Sequence, residues 1–196
     1  MEVATEMALP AITLEQASHR IGPTHTRRCA MATSMGGIGP LIKDRLFGQS
    51  EESGSVAGVS LLYEWVWTQK RTEKKGLQLE KKPVGSILRK ILRKTNLGFS
   101  LKLFNGRRVR VEVFSIPFGH ATGYYLSCPE VIDVLYPGAA DAPPPHPDPG
   151  YWGHQQGLLQ NWILGRGALR LAKKLRCRPD ALVLSETPAV FAHPRL

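Results

Sequence analysis

Cysteine is scarce in this sequence and nothing in its spacing suggests pairing. Cys29, Cys128 and Cys177 are far apart, and no CxxC occurs. An odd, scattered set excludes a disulfide framework and points to reduced thiols in a cytoplasmic protein. Zinc has no usual ligand spacing either: His19, His25 and Cys29 form only a loose cluster, so no metal is expected. No apolar run reaches the roughly 18 residues that a membrane-spanning helix needs. Residues 1–10 carry two glutamates and no basic residue, unlike the charged start of a signal peptide. Acidic residues are in short supply, with 16 Asp and Glu against 26 Lys and Arg and a net charge of +10. Such an excess favours anionic partners. It is uneven: ten Lys or Arg lie between Lys70 and Lys94, against Glu73 and Glu80 alone.

What is present suits a globular chain. The 196 residues, 42% hydrophobic and 21% charged, are enough for one domain with a core. Residues 1–35 read as an irregular amino-terminal segment of unknown role, with a short strand or helix within 1–16. Gly36-Gly37-Ile38-Gly39 opens onto Pro40 to Leu46 as a glycine loop before a helix. Val56 to Trp67, rich in β-branched and aromatic residues, predicts one buried strand. Val84, Ile87, Leu88, Ile91 and Leu92 recur at helical spacing, with Arg89, Lys90, Arg93 and Lys94 opposite, and predict a short basic amphipathic helix.

Phe99 to Phe118 predicts a hairpin. Phe99, Leu101 and Leu103 alternate with polar residues, as do Val109, Val111 and Val113, and Asn105-Gly106 lies between them as a turn. Gly123 to Cys128 predicts a third strand. Residues 136–150 hold six prolines and read as a stiff loop. Leu158 to Leu175 carries a broad apolar stripe and predicts a helix. Ala181-Leu182-Val183-Leu184 then predicts a strand buried on both faces. Helix, turn and buried strand in that order mark an α/β unit. In such folds chemistry sits just past the carboxyl ends of the strands. Here that position holds Ser185-Glu186-Thr187-Pro188.

Four stretches together resemble the amino-terminal half of bacterial α-glucan (glycogen or maltodextrin) phosphorylases. They are Gly36-Gly37-Ile38-Gly39 with Asp44, the strand Gly58 to Tyr63, the hairpin at 99–116 with the segment Tyr124 to Gly138, and Leu164 to Glu186. The resemblance covers 36–196. It implies an α/β fold, a Rossmann-like parallel sheet with a small antiparallel β insertion at about 99–128. It also implies a truncated amino-terminal half of a two-domain glycosyltransferase, inactive alone. Such enzymes transfer glucosyl units from an α-1,4-glucan to phosphate, so α-glucan or glucose 1-phosphate is the implied ligand.

The resemblance places phosphate and sugar contacts at Gly36, Gly37, Gly39, Asp44 and Glu186, and no catalytic residue in this chain. Glycine suits that task because phosphate must approach backbone N–H groups where a Cβ would intrude, and a following helix adds its positive end. Pyridoxal phosphate belongs to the family's second domain, so none is expected on this chain alone, and a separate chain is the implied source of that domain. Two positions depart from the family pattern: Pro188 stands where a sugar-binding histidine is usual, and Ile42-Lys43 replaces a small pair before Asp44.

Charge supports two other readings. One is a nucleic-acid-binding module on Lys70 to Lys94, with Trp65 and Trp67 nearby for stacking. The other is a membrane-surface helix at Val84 to Lys94. No RNA-binding motif occurs, and both partners are weighed below the sugar reading.

Overall fold

The structure, a computed structural model, describes residues 11–14, 48, 51, 56–72, 76–118, 121–134, 155–177, 181–184 and 191–192. Nine strands occur among them: β1 Ala11–Leu14, β2 Val56–Leu61, β3 Trp65–Thr72, β4 Gly76–Pro83, β5 Arg93–Lys94, β6 Phe99–Lys102, β7 Arg108–Phe118, β8 Ala121–Ser127 and β9 Ala181–Leu184. One helical turn, α1, spans Gly85–Leu88, and a 20-residue helix, α2, spans Gln155–Lys174.

The main sheet is mixed, in the order β5-β7-β8-β2-β1-β9, with β6 also paired to β7. The strands β8, β2, β1 and β9 are mutually parallel. β7 joins antiparallel to β8, Val113 opposite Leu126. All six residues of β2 are buried, as a central strand covered on both faces requires. Of the two alternatives for residues 1–16, the strand is realised at 11–14, in register with both β2 and β9.

The hairpin is observed as the sequence predicts. β6 alternates buried and exposed residues, Phe99 pairs with Val111, and Gly106 takes a φ of 86° in the turn. That left-handed backbone is open to glycine and costly for most other residues. The antiparallel strands do not form a separate appendage. They continue the parallel sheet through β7.

The expected strand over 56–67 divides in two. Leu62 still donates to the carbonyl of Leu126 at 2.8 Å, but Glu64 and Trp65 both donate to the carbonyl of Asp133 at 2.9 Å. That switch of partner takes the chain out of the sheet. Among the named strands β3 then pairs with β4, as a separate two-stranded hairpin, and Trp65 makes one parallel bridge to Val134.

The predicted basic helix is also shorter than expected. It ends after one turn, and Arg93 and Lys94 pair with Ser115 and Phe114 as β5. The helical spacing of Val84, Leu88 and Leu92 reflects a few turn bonds: Leu88 N–H to Val84 at 2.9 Å and Leu92 N–H to Leu88 at 2.9 Å. A three-turn surface helix for a membrane is therefore absent from this segment.

α2 covers one face of the sheet with Leu159, Ile163, Leu164, Ala168 and Leu171, all buried. Two glycines bring it close. A Cβ on Gly167 would stand 2.7 Å from Leu126 Cδ1, and one on Gly165 would stand 2.4 Å from the backbone of Phe191. Gln160 fixes the start of the helix to the segment after β8, donating to the carbonyls of Val131 at 3.2 Å and Val134 at 3.0 Å.

Candidate functional site

The strand order β8-β2-β1-β9 has a functional consequence. From β1 the chain moves outward to β2 and β8, then returns through α2 to place β9 on the other side of β1. Connections from neighbouring strands thus depart in opposite directions at β1 and β9. In open α/β sheets this reversal opens a crevice at the strands' carboxyl ends, where ligands bind. The carboxyl ends at that reversal are Leu14 and Leu184, which pair with each other.

Gly36, Gly37, Gly39 and Asp44 lie in the connection that leaves β1. Glu186 follows Leu184 by two residues. All five lie outside the described residues. So do His19, His25 and Cys29, Pro188 and the proline-rich 136–150.

What the described residues do build at the carboxyl edge is a polar brace beside the crevice. Arg89 forks onto Glu64: Nη1 donates to Oε2 at 2.7 Å and Nη2 donates to Oε1. Nη2 also donates to Ser127 Oγ at 3.1 Å, at the end of β8. Side-chain exposures of 29% and 21% place the pair mostly out of water, where such a fork is strong. The hydrogen bonds that Arg89 donates to Glu64 hold its guanidinium above its ordinary pKa, against the opposing effect of burial.

Gly85 makes room for the brace. A Cβ there would meet Glu64 Oε2 at 2.4 Å. The Glu64 carbonyl in turn accepts from Val84 at 2.8 Å and Gly85 at 3.1 Å. Glu64, Arg89 and Ser127 were not singled out as a group by sequence. Arg89 reads as one cation among ten, and only its contact across 25 positions distinguishes it.

Next to the brace, Cys128 is fully buried and its Sγ donates to Glu130 Oε1 at 3.8 Å. Burial, reinforced by the Glu130 charge, pushes its pKa up to about 12. It is a packing residue, not a nucleophile. Among the described residues no group of three His, Cys, Asp or Glu is placed to hold a metal ion. No helix among them is long and apolar enough to cross a membrane. Trp65 is 37% exposed, and Lys81 Nζ sits 5.2 Å from its ring centroid, so this tryptophan does not face the core as expected of a buried strand.

No family profile matches the chain, and no curated protein matches it in sequence. Among solved structures it is similar to the catalytic domain of starch synthase IV from Arabidopsis thaliana, bound to ADP and acarbose. The TM-score is 0.55 at 13% identity, covering 95% of this chain and 30% of that one. The chain has an α/β fold similar to part of that catalytic domain. This likeness is one of fold, and it does not speak for the phosphorylase family in particular. The chain spans less than a third of the neighbour's length.

Proposed function

We propose that this chain contributes the sugar-binding Rossmann-like unit of a glucosyl-transferring enzyme, and that an α-glucan or glucosyl phosphate binds at the crevice between β1 and β9. The observation that carries this reading is the reversal of strand order at that point. In sequence, Gly36, Gly37, Gly39 and Asp44 fall in the connection between β1 and β2, and Glu186 follows β9 by two residues. Small residues in the first connection allow a phosphate or sugar to meet backbone N–H groups, and a carboxylate after β9 suits sugar hydroxyls. The starch synthase neighbour was solved with ADP and acarbose, which supports a ligand of nucleotide or sugar type.

The finer reading is phosphorolysis, with phosphate as the glucosyl acceptor, and it rests on the four motif stretches alone. In that family pyridoxal phosphate is held by the second domain, and the four stretches here resemble the first. Pro188 supplies neither a side-chain donor nor an N–H, so a histidine-type contact to sugar is not made there.

Calorimetric titration with maltodextrin tests the binding claim. Saturable binding that weakens at least tenfold in Glu186→Gln supports it, and no heat of binding in the folded chain overturns it. A glucose 1-phosphate release assay with added pyridoxal phosphate tests the finer reading. Turnover above the blank by this chain alone contradicts the assignment of the cofactor to another domain.

A second reading draws on the exposed Trp65 under Lys81. A flat aromatic ring beside cations is how single-stranded nucleic acid is held. A salt-sensitive gel shift with RNA, lost in Trp65→Ala, favours it; maltodextrin binding without such a shift favours the first.

A further inference from the structure

A second concave site lies away from the crevice. Gly98, Phe99, Ser100 and Arg110, at the start of β6 and across from it on β7, face Arg170, Lys173 and Lys174 on the last turns of α2. They line an open cleft of about 470 Å³. Four of these seven residues are cationic and none is acidic. None of the four takes part in an ion pair among the described residues, whereas Lys81, Arg89, Lys94 and Arg107 each do.

The helix dipole accounts for part of this charge. Lys173 and Lys174 sit in the last turn of α2, where cations offset the negative helix end. Arg110 is on a strand opposite Ser100, and Arg170 lies before the last turn, so neither has that explanation. Arg110 reaches over Gly98: its Nη2 stands 3.4 Å from where a Cβ would be on that glycine. Residue 98 being glycine leaves the guanidinium space at the cleft.

We propose that this cleft binds a small anion carrying two phosphate groups. Two walls bear the charge, Arg110 on one side and Arg170, Lys173 and Lys174 on the other, so each wall can take one phosphate. Guanidinium forks match phosphate oxygens in pairs, and the lysines add point charge. The site does not depend on the sugar reading. β6 lies four strand spacings from β1, about 19 Å at about 4.8 Å per spacing.

The test is calorimetric titration of the full chain at low ionic strength with inorganic pyrophosphate, orthophosphate, fructose 1,6-bisphosphate and a single-stranded RNA. Pyrophosphate should bind at one site, at least tenfold more tightly than orthophosphate. Arg110→Gln with Arg170→Gln should weaken it at least tenfold. Lys90→Gln with Arg93→Gln removes the same charge elsewhere and should change it less than twofold. Tighter binding of the sugar bisphosphate than of pyrophosphate identifies an organic ligand, and the reverse order identifies free pyrophosphate. Equal losses in the two double variants, absence of pyrophosphate binding, or RNA binding that pyrophosphate does not displace would each overturn the proposal. Circular dichroism confirms that each variant is folded, and Lys173→Gln with Lys174→Gln provides a second weakened pair if the first fails to fold.

Discussion

At the scale of single residues, burial decides what each group does. Arg89 stands in a row of cations, yet it is the one that ties the ends of β2 and β8 through Glu64 and Ser127. Replacing it leaves a mostly buried carboxylate without its fork. Arg89→Gln is therefore expected to cost about 2 kcal/mol of stability, whereas Lys90→Gln, on an exposed side chain, should fall within about 0.5 kcal/mol. Chemical denaturation of the two variants checks this, and equal midpoints would show the brace to be idle. Cys128 gives a pH dependence. Its folded pKa of about 12 lies above the ordinary value of 9.0, so the folded state retains a proton that the unfolded chain releases. That contribution is intact below about pH 9 and is lost progressively as pH rises towards 12. Cys128→Ala should flatten the decline in stability over that window. An unchanged slope would place the alkaline sensitivity in other groups.

At the scale of elements, the sequence was most legible where one periodicity governed the whole element. The hairpin of β6 and β7, strand β8 and helix α2 follow their patterns, because each buries a regular face, and β9 forms over the four residues expected. It was least legible where tertiary bonds interrupt a pattern. Val56 to Trp67 is uniformly strand-like, and nothing local shows that Glu64 will turn to the carbonyl of Asp133 and to Arg89. The Val84 to Leu92 spacing is helical, but pairing of Arg93 and Lys94 with β7 wins over continuing the helix. β4 carries a readable signal, Leu77 and Leu79 alternating with Gln78 and Glu80, within a run dominated by charge. The end of α2 offers a test of backbone chemistry. Arg176 has a φ of 53°, while Cys177 donates to the carbonyl of Ala172 at 3.0 Å, the bond of a glycine-type helix stop. Arg176→Gly should raise stability by about 0.5–1 kcal/mol, read from the thermal midpoint. A lower midpoint would mean that the arginine side chain contributes more than its backbone strain costs.

At the scale of the molecule, the described residues place a parallel four-strand core at the centre, an antiparallel extension on one side and a braced carboxyl edge. The fold was legible because alternation and buried runs survive in the sequence. The candidate site was legible only as motif, because Gly36, Gly37, Gly39, Asp44 and Glu186 lie outside the described residues, and the brace of Glu64, Arg89 and Ser127 depends on contacts distant in sequence. The proposed sugar site follows from the order β8-β2-β1-β9. The most direct test is a maltodextrin titration of isotopically labelled protein followed by amide chemical shifts. The account predicts that the largest shifts cluster at the carboxyl ends of β1 and β9, around Leu14 and at 184–187, with the β3–β4 hairpin unmoved. Shifts centred instead on Trp65 and the hairpin, or no shifts at saturating maltodextrin, would contradict it.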